Sequence, residues 1–228
     1  MSPGRTEPRI SVNQLALYLV SGPARRRTII ECQKRPQTFQ VTYYQPALDA
    51  IVPFVVNGMR DEAPLVAAID DLYAKSPAND QEENRFESNM FAIASFLDSY
   101  KKLSLGNLRP EATRQSESRR IAIRGVQISV RPEIILCGVY RSDKRVGALK
   151  LYLSKETSLT SESASYVTCL LSIFAERFLS ARGRMLPSQC QVFDVFGTGV
   201  YVARPQMTRR RRDIEAACEE IALRWPTL

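Results

Sequence analysis

The stretch Arg131–Lys155, RPEIILCGVYRSDKRVGALKLYLSK, decides how the chain folds. EIILCGVY is apolar and rich in β-branched side chains. GALKLYLS alternates apolar and polar. The polar run RSDKR between them holds no apolar residue. This is the pattern of a strand, a tight turn and a second strand. An acid, Glu133, sits at the start of the first strand and a lysine, Lys150, well along the second. Residues two apart on a strand share a face, so Ala148 points the same way as Lys150.

Outward from this hairpin the β texture continues. IAIRGVQISV precedes it, and CQVFDVFGTGVYVARP follows with a hairpin signal at GTG. Between them TSESASYVTCLLSIFAERFLSARG reads as a long helix opened by a Ser/Thr cap and closed by Gly183. RRRRDIEAACEEIALRWP is a last amphipathic helix with Ile214, Ala217, Cys218, Ile221 and Trp225 turned inward.

The first half is helical in pattern. Ser11 is a plausible N-cap for VNQLALYLV, with Gln14 as capping-box partner, and Gly22-Pro23 ends that helix. ARRRTIIECQK follows as a short basic helix or strand. FQVTYY has a strand pattern. QPALDAIVPFVV and DEAPLVAAIDDLYAKS read as helices, SPANDQEEN as a loop. The long helix ENRFESNMFAIASFLDSYKKL carries its apolar stripe on Phe86, Met90, Ile93, Phe96 and Leu97. RPEATRQSESRR is polar and reads as a mobile link. The expected architecture is α/β, a mixed central sheet flanked by helices, with a helical part over 1–118 and the α/β core over 119–228 in one compact domain.

Composition narrows the chemistry. The chain of 228 residues has no histidine, which excludes Ser-His-Asp and Cys-His catalysis and histidine zinc sites. Its five cysteines are scattered without a CxxC pair, which argues against an iron–sulfur cluster, and four lie in apolar segments as small buried hydrophobes. The longest apolar runs, such as AIVPFVV, are too short to span a bilayer, and MSPGRTEPRIS has no signal-peptide core, so a cytoplasmic protein without membrane contact is expected. The net charge of +8 favours an anionic partner. Residues 61–98 are acidic, and the positive charge gathers at 24–27, 109–131 and 208–212. Segregation of this kind points to a basic face for nucleic acid, with Arg25, Arg26, Arg27, Arg119, Arg120, Arg124, Arg209, Arg210, Arg211 and Arg212 as candidate phosphate contacts.

In the order of its motifs the chain resembles the PD-(D/E)xK nuclease superfamily, and within it the RecB-like branch that includes the CRISPR adaptation exonucleases. ISVNQLALYLVSGPARRR is similar to that branch's opening helix. VRPEIIL (130–136) resembles the strand of the first catalytic acid, and GALKLYL (147–153) the acid-x-Lys strand. ESASY (162–166) resembles the Gln-x-x-x-Tyr motif, and FDVFGTGVYVAR the closing strands. The resemblance implies a restriction-endonuclease-like sheet. It also implies a site of Glu133, Lys150, Glu162 and Tyr166, with Glu87 as an acid from the preceding helix. Glu133 and Glu87 would hold Mg²⁺, an ion that takes oxygen ligands and makes a hydroxide from water.

One departure governs the reading. Ala148 stands where the motif has its second acid. The favoured expectation is therefore a nuclease-like DNA-binding protein with impaired or absent cleavage. The alternatives are an active Mg²⁺-dependent deoxyribonuclease with a relocated acid, and a protein-interaction subunit of a DNA-processing or defence assembly. Each motif residue also has a plainer reading: Lys150 as a surface lysine, Tyr166 as core.

Overall fold

Two β-sheets organise the chain in a computed structural model that describes residues 5–35, 43–113 and 120–228. In order, the elements are β1 (Arg9–Ser11), α1 (Val12–Leu19), α2 (Pro23–Lys34), α3 (Gln45–Val56), α4 (Ala63–Tyr73), α5 (Asp80–Ser99), β2 (Arg109–Ala112), β3 (Arg120–Ile123), β4 (Val126–Ser129), β5 (Ile134–Tyr140), β6 (Asp143–Tyr152), α6 (Ser161–Phe178), β7 (Arg184–Asp194), β8 (Gly199–Val202) and α7 (Thr208–Arg224). The larger sheet has the order β2-β5-β6-β7-β8, and the smaller β1-β4-β3. The fold is α/β with mixed sheets flanked by helices. β5 and β6 form the antiparallel hairpin read from the sequence, and β7 returns parallel to β6 after α6.

Alternation along β5, β6 and β7 divides the core. Ile134, Leu136, Leu149, Leu151 and Phe193 face one side with residues of α3, α4 and α5. Ile135, Val146, Ala148, Tyr152, Cys190 and Val192 face the other, with residues of α1, α2, α6, α7 and the small sheet. The first half of the chain is thus split between both faces of the sheet, and the boundary at 118 does not divide the core. β1 pairs in parallel with β4, tying the N-terminus to the second half.

Local signals explain most elements. Ser11 Oγ accepts the Gln14 N–H at 3.3 Å, as a cap should, while its own N–H is taken by Gln33 Oε1 at 3.4 Å instead of by Gln14. Thr160 and Ser163 form a reciprocal capping box at the start of α6. α5 begins at Asp80, inside the expected loop, because Asn79 Oδ1 caps the Glu82 N–H and three acids fill the first turn. The link read as mobile contains β2. Its Pro110 is tolerated because β2 is an edge strand. Most of FQVTYY (39–42) lies outside the described residues; Tyr43 and Tyr44 form a turn. Among the described residues no helix is long and apolar enough to cross a membrane.

The five cysteines are free. Burial pushes the Cys169 and Cys190 thiols up to about 11 and Cys218 up to about 12. Cys32 is exposed and Cys137 half-buried. A disulfide-exchange reagent at pH 8 should therefore modify Cys32 quickly and Cys137 slowly, and the other three only after denaturation. Mass spectrometry of timed reactions checks the order.

The β6–β7 register slips between Val146 and Ala148, and Gly147 lies at the slip. A Cβ there would sit 2.3 Å from the Gln189 carbonyl oxygen. Gly147→Ala should cost about 1–3 kcal/mol by overpacking, seen as an earlier urea midpoint.

Candidate functional site

β6 outruns β5 at one end. The register between them stops at Ile134↔Leu149, yet β6 continues to Tyr152. The Leu151 N–H would face an absent strand. The Glu133 side chain supplies the missing acceptor: Oε2 takes the Leu151 N–H at 2.6 Å. Its other oxygen, Oε1, accepts a hydrogen bond from Lys150 Nζ at 3.1 Å, and the same ammonium donates to the Arg131 carbonyl at 2.9 Å. Lys150 is 7% exposed, so it is no surface lysine. Lys150 on β6 and Glu133, the residue just before β5, form a largely buried ion pair, with Lys150 facing the side of the sheet that Ala148 and Tyr152 face.

The other site candidates lie apart from this pair. Glu87 is exposed on α5, a helix packed on the opposite side of the sheet. Glu162 is exposed in the first turn of α6 and meets Arg210 at 3.6 Å. Tyr166 is buried between α6 and α7. Its hydroxyl donates to Asp213 Oδ2 at 3.0 Å and accepts from Arg210 Nη1 at 2.9 Å, and the Arg210 guanidinium lies 4.6 Å from the ring centroid. Burial first, then the Asp213 carboxylate, push the Tyr166 hydroxyl up. The ESASY residues therefore engage α7 and not the Glu133–Lys150 pair. Asp213 lies within α7, one turn from Arg210, and serves this network.

The donor set does not fit a divalent metal. Mg²⁺ needs several oxygen ligands held together. Here the only carboxylate of the pair already neutralises a lysine, and the adjacent inward position is the methyl of Ala148, 0% exposed. Among the described residues no three His, Cys, Asp or Glu side chains are grouped to hold a metal.

The candidate arginines divide by their partners. Arg26 pairs with Glu220, Arg27 with Glu31, Arg124 with Glu215 and Glu219, Arg210 with Glu162 and Asp213, and Arg211 with Glu176. Arg25, Arg120, Arg209 and Arg212 have no carboxylate partner among the described residues, and Arg119 lies outside them. The sequence reading missed Arg9 and Arg131, which join Arg120 in one electrostatic group. The signal was there for Arg131: Gln127, Ser129 and Arg131 alternate along one polar face.

Comparison of the chain with protein-family models finds no match, and comparison with curated proteins finds none either.

Removing one partner of the buried pair strands a charge. Lys150→Met or Glu133→Gln alone should each cost about 3 kcal/mol in urea unfolding. The double variant should cost clearly less than the sum, because no uncompensated charge remains. Additive losses would mean the two side chains do not support each other.

Proposed function

We propose that this protein binds nucleic acid, DNA foremost, through a restriction-endonuclease-like core that does not cleave. The observation that carries the reading is the meeting of Glu133, at the foot of β5, with Lys150 of the neighbouring β6 at 3.1 Å, with Ala148 in the remaining inward position. An acid strand followed by a lysine strand is the arrangement expected of a two-strand nuclease site. Phosphodiester cleavage of that type needs a metal held by clustered carboxylates to polarise the phosphate and activate water. This chain has one carboxylate there, and its lysine neutralises that carboxylate instead of a departing or attacking oxygen.

The active alternative would need a relocated acid. Glu87 is on the far side of the sheet and Glu162 is paired with Arg210, so neither favours it. A pair spent on holding two strands together is consistent with a fold kept for its surface. That surface has the positive balance that nucleic acid would engage.

The test is cleavage of single- and double-stranded DNA with Mg²⁺ or Mn²⁺ by the wild type and by Lys150→Ala, beside gel shifts at two salt concentrations. Circular dichroism confirms that the variant is folded at the assay temperature. The expected result is no cleavage by either protein and binding that weakens steeply as salt rises. Cleavage that vanishes in Lys150→Ala would establish an enzyme and overturn the reading. Neither binding nor cleavage would also overturn it, in favour of a protein-interaction subunit.

A further inference from the structure

We propose that the outer face of the three-stranded sheet, carrying Arg9, Arg120 and Arg131, binds the sugar–phosphate backbone of nucleic acid. The inference rests on the reading of the protein as nucleic-acid-binding and assigns the surface that does it.

The sheet β1-β4-β3 is two-sided by alternation. Ile10, Ile121, Val126 and Ile128 are buried on its inner side in the core shared with α1, α2 and α7. The opposite side chains form polar rows across the strands: Ser11, Ser129 and Arg120 in one register, and Arg9, Gln127 and Ala122 in the next. Arg131 follows Ser129 by two residues, continuing that side beyond the end of β4. Arg120, Ala122 and Arg131 are exposed, and Arg9, Ser11, Gln127 and Ser129 are half-buried.

Charge decides the occupant. Burial first, then the neighbouring cations Arg120, Arg5 and Arg131, hold the Arg9 guanidinium below its ordinary value. No carboxylate is among the groups acting on it. The side chains of Arg9, Arg120 and Arg131 make no ion pair among the described residues. By contrast Arg26, Arg124, Arg210 and Arg211 each meet an acid of their own chain. Arginines that repel one another on an open face are relieved by a polyanion, and their planar forks match phosphate oxygens. Ser11, Ser129 and Gln127 between them add the hydroxyl and amide groups that commonly contact phosphate and sugar. Ala122 is the only apolar side chain in these rows, whereas a membrane-docking face presents larger apolar groups.

The position of Arg131 links this face to the buried pair. Its carbonyl accepts from Lys150 Nζ, so the pair fixes the backbone that carries the guanidinium. Glu133 and Lys150 thus hold the main chain from which Arg131 emerges.

The test is fluorescence anisotropy with a labelled DNA duplex and a labelled single strand, over a series of salt concentrations. Arg9→Gln/Arg120→Gln/Arg131→Gln should lose at least about ten-fold in affinity, with the salt slope reduced by about 2–3, near one per lost phosphate contact. Lys75→Gln/Lys101→Gln/Lys102→Gln, on the other side of the larger sheet, removes the same net charge and should leave affinity within about two-fold. If the arginine triple variant unfolds, Arg120→Gln and Arg131→Gln singly, both exposed, should each lower the slope by about 1. Wild-type binding with equal loss in both triple variants, or none in the arginine variant, would overturn this face while leaving the nucleic-acid reading in place. No wild-type binding to either DNA would sink that reading itself. Arginine-dependent binding to polyglutamate or phosphatidylserine vesicles as tight as to DNA would overturn nucleic acid as the occupant.

Discussion

The Glu133–Lys150 pair holds the junction between the two sheets. β4 ends at Ser129 in the small sheet and β5 begins at Ile134 in the large one. Four residues carry the chain across, and Pro132 among them has no N–H to give. Glu133 still gives its N–H to the Leu149 carbonyl at 3.1 Å, and beyond that bond side chains take over from the main chain. Glu133 caps the Leu151 N–H, and Lys150 holds the Arg131 carbonyl. A buried pair is tolerable only when both charges and their remaining hydrogen-bonding capacity are met. Here Glu133 has the ammonium and a backbone amide, and Lys150 a carboxylate and a backbone carbonyl. Because β1 pairs with β4, the N-terminal strand depends on the same junction.

The hairpin, the helix after it and the last helix were legible because periodicity and caps agree there. Ile214, Ala217, Cys218, Ile221 and Trp225 repeat at helical spacing and are all buried. β2 was not legible. Its residues, RPEA, show no buried apolar row because the strand is short and at an edge, so burial leaves little mark on the composition. The start of α5 was misread because Asp, Glu and Asn look like a loop until Asn79 is seen as a cap. At the site, the meeting of Glu133 and Lys150 follows from strand pairing, which sequence order suggested. The separation of Glu87 does not, since the face of the sheet that a helix covers depends on how the chain crosses it. Nor does the partnering of Tyr166 with Asp213, 47 residues apart.

A net charge of +8 says little about where an anion would bind. The runs that stood out, Arg25–Arg27 and Arg209–Arg212, lie on helices that also carry acids, and much of that charge is met within the chain. Arg26 and Arg224 share Glu220, and Arg211 meets Glu176. Exposed pairs of this kind add little stability. What they do is lower the local potential, so a run of arginines in sequence overstates the field at that surface. Arg9 is far in sequence from Arg120 and Arg131, and only the pairing of β1 with β4 brings it to their side of the small sheet.

Ala148 ties these observations together. Its side chain faces the same side as Lys150, fully buried in the core with Ile135, Val146 and Cys190, its neighbours across β5 and β7 being Ile135 and Cys190. A carboxylate at 148 would need a metal or hydrogen-bond donors to offset its desolvation, and these neighbours supply neither. The alanine and the paired lysine are therefore mutually consistent. With no second acid to draw an ion, the Lys150 ammonium is the cation that Glu133 faces, and the packing around Ala148 closes that side of the sheet. Arg131 emerges on the outside of the junction, exposed.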